Sequence, residues 1–146
     1  MDLNFNNLFY DFKSDTPIAI LNDNLGKSFY FKISPNIANQ IINFLENDRK
    51  ITNNMYNIFI DVLNNSSCNI NKLTIEKFEN GNYTGYFQVK IEDKVFYYYL
   101  SSDDIILLSV LFDRFVEIDP FVFYDFLEPQ NDVLYSEKLY EPMIEN

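Results

Sequence analysis

The sequence predicts an α+β fold: one domain with a mainly antiparallel (mixed) sheet and about three helices. Three observations lead there. From residue 83 to residue 92 apolar and polar positions alternate, Tyr83, Gly85, Phe87, Val89 and Ile91 against Thr84, Tyr86, Gln88, Lys90 and Glu92, the period of a half-buried strand. At 37–45 and 55–63 apolar residues recur instead at helical spacing. Turn pairs, Asn80-Gly81 foremost, separate the alternating runs and make their neighbours pair antiparallel. A chain of 146 residues buries about 70% of the surface its unfolded form exposes, which fits one core. Hydrophobic residues make up 47% of the chain and aromatic residues 18%, so Phe, Tyr and Ile are plentiful enough to fill that core.

Residues 3–12 alternate weakly, with Leu8, Tyr10 and Phe12 on one face, and read as a first strand ended by Lys13-Ser14-Asp15. Pro17 opens a second, Ile18-Ala19-Ile20-Leu21, and the polar run 22–27 turns the chain into a partner strand over 28–33. A calcium loop at 22–26 is excluded, since the carboxylate spacing and the closing Glu are missing. Ser34-Pro35 is a helix start, a hydroxyl cap followed by Pro at the first helical position. Ile37, Ala38, Ile41, Ile42 and Leu45 then form its core face. Thr52 is expected to cap a second helix whose Met55, Phe59, Val62 and Leu63 form a packing stripe. Leu73 and Ile75 share one face of the next strand, and Glu92-Asp93-Lys94 turns the chain again, so the segment 95–100 completes a three-stranded meander. Its unbroken aromatic run, Phe96-Tyr97-Tyr98-Tyr99, suggests burial on both faces. A helix apolar nearly all round follows over 102–113 and is expected to be central, then a strand over 115–118. The domain is placed at 1–127. Residues 128–146 read as an acidic, partly ordered tail whose Leu134, Tyr135, Leu139 and Tyr140 could dock on this subunit or a neighbour.

With 22 acidic and 11 basic residues the net charge is -11, and such a field opposes nucleic acid at long range, because that binding draws on Lys and Arg releasing phosphate counterions. Metal ions bridging carboxylates to phosphate keep nucleic acid open as a partner, though disfavoured. There is no His, which removes the Ser-His and Cys-His nucleophile pairs and the commonest zinc ligand. Cys68 has neither a His to activate it nor a second cysteine in the chain, and reads as a reduced structural thiol in a cytoplasmic protein. No secretory signal is expected at the start, and no run approaches the ~18 apolar residues of a membrane span, so a membrane is not expected as a partner.

Two segments carry a family resemblance: Thr16-Pro17-Ile18-Ala19-Ile20-Leu21 before a hairpin, and Ser102-Asp103-Asp104-Ile105-Ile106-Leu107-Leu108 opening the late helix. In this order and spacing, over roughly 8–127, the chain resembles the bifunctional nuclease (BFN) domain family, also catalogued as a domain of unknown function. That family carries a Thr-Pro-Val-Val-Leu-Leu-like strand and an Arg-Pro-Ser-Asp-Ala-Ile segment. The resemblance implies a BFN-like fold and a nominal nuclease activity on DNA or RNA, with Mg or Mn as cofactor. Ser102 and Asp103 match the family's Ser-Asp, but Leu100-Ser101 replaces its Arg-Pro and Asp104 its Ala. Ile33-Ser34-Pro35-Asn36-Ile37 lacks the family's Glu, and Thr52-Asn53-Asn54 keeps only the Thr of its Thr-His-Asp. A degenerate site is the expectation.

The candidate residues are therefore Asp103, Ser102 and Asp104 as catalytic groups, with Asp103 and Asp104 as metal ligands, joined by acids such as Asp11, Asp15 or Asp119 if the fold brings them near. The preferred reading of the same residues is structural. A hydroxyl or carboxylate at a helix start accepts from unpaired backbone N–H groups, and Ser101-x-x-Asp104 has the form of a capping box. Two functions remain: a metal-dependent nuclease, and a non-catalytic binding or scaffolding module that forms a homo-oligomer, a dimer or larger.

Overall fold

The computed structural model describes residues 1–47, 55–119, 122 and 136–138. In chain order the elements are β1 (Asp2–Asp11), β2 (Thr16–Asn22), β3 (Ser28–Lys32), α1 (Pro35–Glu46), α2 (Met55–Asn64), β4 (Cys68–Glu79), β5 (Asn82–Ile91), β6 (Lys94–Ser101), α3 (Ser102–Leu111), β7 (Val116–Ile118) and β8 (Ser136–Lys138). One mixed sheet runs β3-β2-β1-β7-β4-β5-β6, and β8 pairs with β1 beside β7. All its pairings are antiparallel except β4 with β7, so the α+β class expected from the sequence is the class observed.

The weak alternation of β1 has a physical reason. Leu3 and Leu8 are both buried in the same core although they differ in parity, and a bulge between Phe5 and Asn7 reconciles them. Asn7 is buried there, and its side-chain oxygen accepts from Leu8 N–H at 2.8 Å. A second bulge, between Ile70 and Lys72, brings Ile70 onto the core face of β4 with Leu73 and Ile75. Phe12, expected on the Leu8 face, lies past the end of β1 and is exposed.

The three helices follow the sequence with corrections. Ser34 caps α1 through Ile37 N–H, with Pro35 first in the helix. Helix α3 is buried along nearly all its length from Ile105 to Val110, and it contacts α1 and strands β1, β4, β5, β6 and β7. It stops at Leu111, two residues short of the expected end. Asp113 takes φ 52° and Arg114 N–H bonds back to the Ser109 carbonyl at 2.9 Å, as a chain leaving a helix requires. Of the stripe on α2 expected to pack, Leu63 does lie against the core, but Met55, Phe59 and Val62 are exposed, as is Ile58, while Ile60 is buried. Thr52, the expected cap of α2, lies outside the described residues.

Strand β6 departs furthest from expectation. It sits at the edge of the sheet and not in its middle, and its residues from Lys94 to Tyr99 are exposed on both faces. Its pairing with β5 is regular from Thr84↔Ser101 to Ile91↔Lys94. The meander itself is as expected. Asn80 and Gly81 both take positive φ, 54° and 80°, in the first turn, as a two-residue type I′ connection needs. At Gly85 a Cβ would lie 1.8 Å from the Thr74 carbonyl oxygen and 2.9 Å from Ile105 Cδ1, so here the two strands and α3 meet where only glycine fits. Within the expected tail, Ser136–Lys138 pairs with Phe9 to Asp11 of β1. Leu134, Tyr135, Leu139 and Tyr140 lie outside the described residues.

Candidate functional site

Strand β6 hands over directly to α3, so Ser101 is at once the last strand residue and the N-cap of the helix. Its hydroxyl does not cap. It donates instead to the Asp104 carboxylate at 3.1 Å, a side-chain pair that is neither of the two backbone bonds of a capping box. Ser102 is buried at the first helical position.

Asp103 reaches away from its own helix. Its Oδ2 accepts from Ser34 N–H at 2.7 Å across 69 residues of chain. Ser34 is the N-cap of α1, and in a capping box the N–H of that residue is satisfied by a Glu or Gln three positions on. Here that position is Ile37, and Asp103 supplies the missing acceptor from α3. The sequence reading of a helix cap at Asp103 is thus corrected in one respect: the carboxylate serves the start of α1, not of α3. Partial burial pushes the Asp103 carboxyl above the ordinary aspartate range; the hydrogen bonds from Ser34 oppose this, and the neighbouring Asp104 adds to it.

The other acids considered as metal partners lie elsewhere. Asp11 ends β1, where its carboxylate accepts from Lys13 N–H at 3.1 Å and from the Ser14 hydroxyl; the Ser14 bond, the larger of the effects that lower it, holds its carboxyl below the usual range. Asp15 occupies the same turn with φ 53°. Asp119 follows β7 at the opposite end of β1, since Met1 and Ile118 are bonded there, and a ten-residue strand puts it about 30 Å from Asp11. Among the described residues no group of three or more His, Cys, Asp or Glu side chains is arranged to hold a metal ion.

The sequence did not point to a cleft of about 360 Å³ that opens between α2 and α3 over β5 and β6, lined by Met55, Phe59, Phe87, Leu100, Asp104 and Leu108. Five of the six are apolar, and Asp104 is the one charge. Each apolar residue was legible as hydrophobic, but the signal that they border an opening lay in two segments approaching each other, which spacing along one segment does not carry. Chemically, the cleft can hold apolar matter with a cationic or hydrogen-bonding group near Asp104. Among its described lining residues there is no cation to meet a phosphate. Phe87 joins it to the exposed edge, because its ring stacks on Tyr98 of β6 at 5.1 Å between centroids.

Among the described residues no helix is long and apolar enough to cross a membrane. Compared with known proteins, the chain matches no family model, and no curated protein matches it.

Proposed function

We propose that this chain is a non-catalytic binding module that assembles with copies of itself. The observation that carries the reading is β6: an eight-residue strand with exposed aromatic side chains on both faces and, among the described residues, one unpaired edge. A strand of this kind is a template for pairing with another chain. The commitment of Asp103 to Ser34 N–H supports the non-catalytic part, as does a cleft whose described lining beside Asp104 is apolar. A cytoplasmic setting is retained as part of the proposal, with the free Cys68 as its support.

The nuclease reading rests on the resemblance to the BFN family and on one local observation, the adjacent carboxylates of Asp103 and Asp104. A single experiment separates the two. The purified chain is incubated with DNA and RNA in Mg²⁺ or Mn²⁺, with and without EDTA, while light scattering gives its mass. The proposal expects a defined dimer or larger assembly and no cleavage. EDTA-sensitive cleavage that disappears in Asp104→Asn would establish the nuclease instead.

A further inference from the structure

We propose that two copies of this chain join antiparallel through β6, about a two-fold axis perpendicular to the sheet, with the exposed faces of α2 meeting beside the seam. This rests on the self-association reading and names its surface. Sheet edges in soluble proteins carry guards: Pro, charge, bulges or short length. The opposite edge, β3, is five residues long, with Phe29 and Phe31 buried and Lys32 at its end. Strand β6 has none of these between Val95 and Leu100, and its ladder with β5 has no register shift.

The area suffices for a dimer. Phe96, Tyr97, Tyr98 and Tyr99 are 39%, 52%, 46% and 71% exposed. At about 200 Å² for a whole aromatic side chain they present about 400 Å², half of the roughly 800 Å² a standard interface takes from each partner. The apolar face of α2 supplies further area, with Met55 79% exposed and Ile58, Phe59 and Val62 exposed beside it. This face is continuous with β6, since Phe59 and Leu100 line one cleft and Phe87 in that cleft stacks on Tyr98.

The two-fold fixes which residues meet. An axis perpendicular to the sheet keeps each face on its own side, so Phe96, Tyr98 and Leu100 meet the same three residues of the second copy on the helix side. Tyr97 and Tyr99 meet their counterparts on the other. Full overlap of the two eight-residue strands, whose midpoint falls between Tyr97 and Tyr98, centres the seam on one of these two residues. Helix α2 lies on the helix side in both copies and faces itself across the axis. Two chains of net charge -11 repel each other, so the dimer tightens as salt is added, the reverse of nucleic-acid binding.

The test uses the full chain with Cys68→Ala, first checked to keep the mass of the original. Single cysteines are placed in turn at Phe96, Tyr97, Tyr98 and Tyr99 and mildly oxidised. The proposal expects cross-linking to peak at Tyr97 or Tyr98 and fall on either side. It also expects Tyr97→Lys with Tyr99→Lys to weaken the dimer by about tenfold or more, as like charges in a seam do, while Leu25→Lys in an exposed turn leaves it unchanged. A dimer that cross-links at none of the four positions and ignores the Lys pair overturns the β6 seam and leaves self-association standing. A chain that stays monomeric at every concentration and salt overturns both.

Discussion

Ser34 N–H opens α1 with no acceptor in its own helix, and Asp103 meets that need from the first turn of α3. Asp103→Ala should therefore cost about 1–2 kcal/mol in urea unfolding, the range for a lost cap or an orphaned buried donor. Asp103→Asn keeps an acceptor and should cost less. The two perturbed carboxyls give opposite pH slopes. The folded state holds the Asp103 proton more tightly than the unfolded state does, so its contribution is most favourable below the ordinary aspartate value near 4 and falls as pH rises through the raised folded value. Asp11 is held below its ordinary value, so its contribution is full above that value and is lost as pH falls through the folded one. Thermal melts across acidic pH should show the decline with rising pH flattened in Asp103→Asn. In Ser14→Ala, which removes the main hydrogen bond on Asp11, the loss in acid should be smaller. Gly85→Ala should cost about 2 kcal/mol or more by the same measurement, because the added Cβ meets the backbone of β4 and cannot be relieved by a rotamer change. A glycine inside an alternating strand is visible in the sequence. That the Thr74 carbonyl and Ile105 close on it is not, since the register shift between Ile75 and Lys77 and the packing of α3 leave no local signal.

The elements themselves were legible where period and turn chemistry act locally. Strands β4 and β5 announce themselves by alternation and by Asn80-Gly81, and α1 by Ser34-Pro35. What could not be read was what lies over each face. The aromatic run of β6 would look the same in a strand buried on both sides, and the stripe on α2 has the spacing of a packed face although only its Leu63, with Ile60 beside the stripe, meets the core. Neither spacing nor hydrophobicity says whether a face is covered by this chain or by another. The second hairpin turn offers a local test. Glu92 takes φ 56°, a conformation that strains a residue with a Cβ. Glu92→Gly should raise stability by up to about 1 kcal/mol, read from the urea midpoint, without altering assembly, since the turn lies beyond β6.

For the whole molecule, the class, the β2-β3 hairpin and the β4-β5-β6 meander followed from the sequence. The joining of the sheet did not: β7 enters between β1 and β4, and its contacts with β1, such as Met1 with Ile118, span most of the chain. The candidate site was legible in its residues and not in its role. Asp103 was singled out for a helix start, and it serves one, but of a helix 69 residues away.

The short β7 has a kinetic consequence. Two local units, β1-β2-β3 and β4-β5-β6, are closed by tight turns, whereas β7 meets β1 at only two register positions, Asp2↔Glu117 and Leu3↔Val116, and β4 at two more. Loop-closure entropy favours forming the hairpins first and the β7 seam last. A residue whose contacts form after the rate-limiting step changes the unfolding rate, not the folding rate. In stopped-flow denaturant jumps, Ile118→Val should steepen escape from the native state and leave refolding nearly as fast, while Val89→Ala in the meander should slow refolding.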